Sequence, residues 1–281
     1  FCQELFMSEP AVSFALNHMA CPTLSPLAMI EAAKNLGIEA VELRNDVKEN
    51  SVTDVETAKS VSAAAEAANI TVLSINALYP FNVWNDERKA QAEQMADVAA
   101  AAGAIGLVCC PLVDADDART DVQRTEDLKA ALTDLKSILG DRGLKGFVEP
   151  LGFPISTLRF KQEAIDAISA VGGEDTFGLV HDTFHHAGSS DPDFFPLQTG
   201  LVHVSAVVDK DISFTDMLDG HREFVMDGDK LQSIAQMKTL FEGGYKGYIS
   251  FEPFSDGVWQ STDPVGDIKA SMDYIKSALS A

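Results

Sequence analysis

Four polar residues interrupt or close otherwise apolar stretches of this chain: Glu149 in GFVEP, Asp182 in GLVHD, His203 in LVHVS and Glu252 in YISFEP. A carboxylate or imidazole at the end of a buried run is costly unless it is paired or bound to a cation. Brought to one place, three carboxylates and one imidazole repel each other unless something positive sits between them. That hard, oxygen-rich donor set suits Mn2+ first, then Co2+ or Mg2+, then Zn2+, and disfavours thiolate-seeking metals. Glu149, Asp182, His203 and Glu252 are therefore the expected ligands of one divalent ion.

The elements that must position them follow a phrase repeated along the chain: a helical stretch, then Gly or Asn, then a short apolar run. It is written AAKNLGIEAVELR, AEAANITVLSIN, ADVAAAAGAIGLVCC, SILGDRGLKGFVEP, ISAVGGEDTFGLVHD and LFEGGYKGYISFEP. Gly37, Gly103, Gly143, Gly173, Gly244 and Asn69 suit the left-handed residue that ends a helix. Ser25-Pro26 offers an N-cap followed by proline at the first helical position, predicting a helix that runs to Leu36. The apolar runs do not alternate with polar residues, which is the pattern of strands covered on both faces. Adding SFALNHM (13–19) and GLVHVSAVV (200–208) gives eight strand-helix units of about 35 residues, the spacing of a single α/β (β/α)8 TIM barrel. A doubly wound sheet is the rival, but no GxGxxG follows the first strand. With no linker or composition break, one barrel domain is expected over 11–281. Residues 1–10 read as an N-terminal extension, with Met7 a candidate initiator.

Active sites of such barrels lie at the C-terminal ends of the strands. The residues there are His18, Glu42 with Arg44, Asn76, Cys110, Glu149, Asp182 with His185, His203 and Glu252. His185 falls in the loop beyond Asp182, where an imidazole can hydrogen-bond a substrate oxygen. His181 should point to the opposite face from Asp182 and be structural, and His186 reads as a loop or surface residue. His18 and Asn76 are further candidate substrate contacts by position alone. Glu42 and Arg44 read as a salt bridge near the mouth or as a substrate contact, and Trp84 and Trp259 as residues of the rim or pocket wall.

The chain has 281 residues, 46% hydrophobic, enough for a full core. Lys plus Arg is 21 against 43 Asp plus Glu, a net charge of −22, which excludes a nucleic-acid partner because that affinity comes from cations meeting phosphates. Cys2, Cys21, Cys109 and Cys110 have no CxxC spacing and read as reduced thiols of a cytoplasmic protein. No run approaches a membrane span, and FCQELFMSEP has no basic region leading into an apolar one. A homo-oligomer is compatible with this reading.

The strand-5 VEP, the strand-6 HDTFHH, the strand-7 HVS and the closing GYKGYISFEPF resemble the xylose-isomerase-like barrel superfamily of sugar-phosphate isomerases and epimerases, and within it the inosose isomerase group of inositol catabolism. The likeness runs from about residue 13 to residue 280. The segment DGHREFVMDGD is similar to one that brings an arginine toward substrate, which suggests Arg222, with His221 beside it. The resemblance implies that Glu149 and Glu252 form an acid/base pair as well as ligands, that His185 meets a substrate oxygen and that Arg222 anchors a hydroxyl or oxyanion. It further implies a sugar or cyclitol ketone as substrate, with 2-keto-myo-inositol first. A metal chelating a ketone and its neighbouring hydroxyl would stabilise the enediolate between two proton transfers. An inosose dehydratase would share that enediolate and then expel a hydroxyl, and a non-catalytic sugar-binding barrel would keep the pocket alone. Some sugar 3-epimerases carry an arginine six residues beyond the strand-7 histidine; Asp209 stands there, which weakens a ketohexose 3-epimerase. Phe251 before Glu252 is a second departure. An abasic-site endonuclease would need more histidine ligands and a cationic face than six histidines and a charge of −22 provide.

Overall fold

The computed structural model describes residues 12–281; the expected extension at 1–10, Met7 and Cys2 lie outside the described residues. The first half runs β1 (Phe14–Asn17), α1 (Pro26–Leu36), β2 (Ala40–Arg44), α2 (Val55–Ala68), β3 (Thr71–Leu78), α3 (Asp86–Ala101), β4 (Gly106–Cys109) and α4 (Asp121–Gly140). The second half runs β5 (Lys145–Val148), α5 (Lys161–Ala170), β6 (Phe177–Asp182), α6 (Thr183–Ser189), β7 (Thr199–Val204), α7 (Ser233–Glu242), β8 (Ile249–Phe251), α8 (Asp256–Trp259) and α9 (Pro264–Ser280). All neighbouring strands are parallel, and β8 pairs with β1 to close the barrel in chain order.

Local chemistry explains the helix limits. Ser25 Oγ accepts from Ala28 N (3.2 Å), Pro26 opens α1, and Gly37 closes it at φ 69°. Asn69 closes α2 in the same left-handed conformation. After α5 that role falls to Gly172 (φ 58°) and not to Gly173, because the turn begins one residue earlier than the glycine pair suggests.

Alternation along the strands divides the core. Outward residues such as Leu16, Val41, Ile75, Leu107, Val148, Leu179, Val202 and Phe251 pack under the helices. Inward residues Ala15, Ala40, Leu73, Val108, Phe147, Val180 and Leu201 form an apolar plug at the lower end of the barrel. Two positions further along the same strands the inward residues become Asn17, Glu42, Cys110, Glu149, Asp182 and His203, so the period of two lifts a polar layer directly above the plug. A register shift between Val41 and Glu42 aligns Ser74 with Glu42, and Ser74 joins that layer.

Candidate metal centre and active site

Pairing brings the four expected ligands together at the C-terminal ends of β5 to β8. Asp182 ends β6 beside His203 of β7, and His203 lies beside Ser250 of β8. Glu149 and Glu252 follow β5 and β8 directly, held by Glu149 N to the Cys109 carbonyl and Glu252 N to the Val204 carbonyl (3.0 Å each). One ligand atom from each of Glu149, Asp182, His203 and Glu252 lies within 4.8 Å of the others, and all four residues are buried. The cluster can hold one metal ion: carboxylate oxygens and an imidazole nitrogen converge on a small volume.

His203 is the hub. Its Nδ1 lies 3.2 Å from Glu149 Oε1, 3.2 Å from Glu252 Oε2 and 4.0 Å from Asp182 Oδ2. Burial opposes a charge on this ring, but Glu252, Glu42 and Glu149 together raise its pKa well above the ordinary value. For Glu252, burial likewise works against ionisation, and His203, Arg222 and Arg44 overcome it, holding the carboxyl well below the usual range.

Arg222 supplies the positive charge at the mouth. Its Nη2 donates to Asp182 Oδ2 (2.6 Å) and Glu252 Oε2 (2.9 Å), and its Nε donates to Ser205 Oγ (3.1 Å). The guanidinium lies against the rings of Phe184 and Phe254, 5.1 and 4.6 Å from their centroids. Its carbonyl accepts from Phe254 N and Ser255 N, tying the loop after β7 to the loop after β8. His221 instead folds back on its own turn, where its Nδ1 meets Leu218 N (2.9 Å).

The remaining expected contacts divide. Asn76 donates to Glu252 Oε1 (3.1 Å), so it orients a candidate ligand. His18 is fully buried in a short 3-10 turn, donating from Nε2 to the Leu24 carbonyl (2.8 Å), while its Nδ1 has no partner. His185 lies in the first turn of α6 and not in a loop, because the Asp182 side chain caps that helix by accepting from Phe184 N (2.7 Å) and His185 N (3.2 Å). Gly152 permits the helix to sit there, since a Cβ would come within 2.1 Å of the His185 carbonyl oxygen. The Nδ1 of His185 is also without a partner. Trp84 donates to Asp134 Oδ2 of α4 (3.0 Å), a rim contact, and Trp259 ends α8. Asp209 is exposed.

Two further expectations are corrected. Glu42 does not pair with Arg44: the two face the interior one level apart, and each finds partners at its own level. Arg44 meets Asp46 through two contacts of 2.7 Å and Glu252 Oε1 at 2.9 Å, whereas Glu42 turns to His203, with Nε2 3.1 Å from Oε1. His186 is neither loop nor surface; it sits half-buried in α6, 2.8 Å from Lys161 Nζ. The structure also adds Asn17, which sequence reasoning passed over and which reaches Glu252 Oε1 (3.1 Å), and it gives Cys110, expected at the strand ends without a role, a contact: its thiol donates to Glu149 Oε2 (3.3 Å). The available signal for Asn17 was its place in the same inward-facing layer as the ligand candidates.

A closed parallel barrel with a buried carboxylate–imidazole cluster at its C-terminal mouth defines a class of barrels able to hold a metal ion at the strand ends. The chain belongs to the xylose isomerase-like TIM barrel family, whose sequence profile matches residues 30–278. It is 27% identical over 242 residues to an inosose isomerase of Halalkalibacterium halodurans, covering 82% of this chain and 83% of that protein. A xylose isomerase domain containing protein from Salmonella typhimurium LT2 superposes with a TM-score of 0.85 at 31% identity, over 96% of this chain and 98% of its own. An IolI protein with a bound zinc atom shares the fold at a TM-score of 0.83 and 20% identity, over 95% of this chain and 98% of its own. Among the described residues no helix is long and apolar enough to cross a membrane.

Proposed function

We propose that this protein is a divalent-metal-dependent isomerase or epimerase of a ketose or keto-inositol, with 2-keto-myo-inositol as its first candidate substrate. The observation that carries the reading is the placement of Glu149 and Glu252 on either side of His203, each 3.2 Å from Nδ1. The likeness to an inosose isomerase over most of both chains supports the substrate class.

Glu149, Asp182, His203 and Glu252 would hold the ion, with Mn2+ favoured by three carboxylates and a single imidazole. When bound, it would supply a Lewis acid that stabilises negative charge on substrate oxygens as the adjacent carbon loses its proton. Glu149 and Glu252 come from non-adjacent strands, so one can take a proton from one face of that carbon and the other can return one to the opposite face. Arg44, Asn17 and Asn76 all donate to Glu252 Oε1, which leaves Oε2 as the atom facing His203 Nδ1. Arg222 is placed to anchor a hydroxyl or oxyanion, and the open Nδ1 atoms of His18 and His185 are candidate partners for further hydroxyls.

Proton NMR of 2-keto-myo-inositol in D2O tests the reading, using metal-stripped protein before and after catalytic Mn2+. Metal-dependent deuterium uptake with a new isomeric ketone is expected, and Glu149→Gln should remove it. A product lighter by one water would instead identify a dehydratase. No exchange on this or related ketoses would overturn the proposal.

A further inference from the structure

We infer that Glu42, which lies outside the expected ligand set, is a positioning residue that fixes His203 as an Nδ1 ligand; the inference rests on the metal-centre reading above. Glu42 is completely buried at the Nε2 edge of His203, while Glu149 and Glu252 face Nδ1, so it has no route to substrate. A carboxylate there adds negative charge beside a centre already rich in it, and only dense hydrogen bonding can retain it.

That bonding comes from four strands around the barrel. Asn17 of β1 donates to Oε1 (3.4 Å), Ser74 of β3 donates to Oε2 (2.6 Å), and Ser250 of β8 donates to Oε1. From β7, His203 Nε2 lies 3.1 Å from Oε1 and 3.3 Å from Oε2. Each of the first three partners reaches Glu42 as a donor, and Asn17 is fixed in that sense because its Oδ1 accepts from Met19 N (3.0 Å). Glu42 therefore accepts throughout, and the proton on Nε2 is the one it holds.

A histidine whose Nε2–H is held in this way turns its Nδ1 toward Glu149, Asp182 and Glu252, and Nδ1 is then the atom that would ligate an ion in exchange for its own proton. A carboxylate behind a ligating imidazole sets the ring's tautomer and orientation and raises its strength as a ligand, and loss of such a partner typically costs 10- to 100-fold in metal affinity. Glu42 also couples the centre to its frame: Asn17 bridges its Oε1 to Oε1 of Glu252.

Calorimetric titration of metal-stripped protein with Zn2+, with histidine 15N NMR of the zinc-loaded form, tests the inference without reference to turnover. Wild-type protein should bind one ion and show His203 protonated at Nε2, with that proton shifted downfield by its charged acceptor. Glu42→Gln should bind zinc about 10- to 100-fold more weakly and move that resonance upfield. Equal affinity and an unmoved resonance in Glu42→Gln would overturn the role of Glu42 while leaving the metal centre intact. Failure of the wild-type protein to bind zinc, or binding unaffected by His203→Ala, would instead remove the metal centre. Should Glu42→Gln not fold, Ser250→Ala keeps the carboxylate but removes one of its donors; a shifted Nε2 proton is then expected, and an unchanged one counts against the inference.

Discussion

Adjacent residues of β6 enter opposite electrostatic surroundings. Asp182 points into the barrel, toward His203, Arg222 and the other carboxylates, whereas His181 points outward and is packed behind the strand. There Lys161 Nζ donates to His186 Nδ1 (2.8 Å), Asp191 Oδ2 (2.9 Å) and the Asp193 carbonyl (2.9 Å), and both histidine rings lie against Phe194. His181 donates from Nε2 to Gln236 Oε1 (2.9 Å), a direction fixed because the Gln236 amide nitrogen serves the Thr183 and Leu231 carbonyls. The inner histidine is held charged by carboxylates; the outer two are held neutral by burial and the neighbouring Lys161. Burial alone thus does not set a histidine's charge: the sign of what surrounds it decides, and of the three rings only the inner one turns a nitrogen toward several carboxylates.

The largest separation of the two regions should come from Glu252→Gln. The substitution removes a candidate ligand and proton carrier at once, and general acid/base chemistry alone contributes about 10²- to 10⁴-fold. Deuterium exchange into the substrate should fall by at least that factor. Thermal stability of the metal-free protein should fall too, because an amide nitrogen facing Arg222 Nη2 and His203 Nδ1 sets donor against donor. Retention of full exchange would show that the inner cluster is only a structural network like the outer one.

The barrel and the four ligand candidates are legible in the sequence because each rests on short-range pattern: apolar runs, glycine stops and a polar residue at each strand end. The inner supports were not. Glu42 stands two residues from Arg44, which suggests a local salt bridge, and nothing in a single strand says that its partner is His203, 161 positions away. Asn17, Ser74 and Ser250 are short polar residues inside strands, and their meaning emerges only once the barrel closes and places them around Glu42. His185 reads as a loop residue in the sequence because the seven residues of α6 are too few to show helical periodicity. The opposed directions of His181 and Asp182, by contrast, follow directly from the alternation of a strand.

The outer region should respond through stability. Lys161 and Asp191 form a buried ion pair, their side chains 4% and 3% exposed. Asp191→Asn leaves the ammonium buried without its counter-charge, a loss of about 3 kcal/mol by analogy with broken buried pairs. Denaturant unfolding should show that loss, while proton exchange per folded molecule stays at the wild-type rate. A parallel drop in exchange would mean that the two clusters communicate through β6, contrary to their separation.

The finest test uses pH on the metal-free protein. His203 has a raised pKa in the folded state, so its contribution is full below the unfolded value of 6.5 and is lost as pH rises through the folded value. His181 and His186 have lowered values, so their contributions are full above 6.5 and are lost as pH falls, for His186 down to about 3. Glu42 and Glu252, also lowered, add a further loss as pH drops below 4.5. Stability should therefore peak near 6.5, with an alkaline limb set by the inner histidine and an acid limb begun by the outer pair together with His18, whose pKa is also lowered by burial. His186→Gln keeps an acceptor for Lys161 but cannot titrate. Between pH 7 and pH 5 it should flatten the acid limb by about 2 kcal/mol, the linkage expected when a ring protonates only in the unfolded chain. The alkaline limb should remain unchanged in the same variant. An acid limb as steep as that of the wild type would show that His186 already carries its proton in the folded protein, and the contrast between the two faces of β6 would then rest on His181 alone.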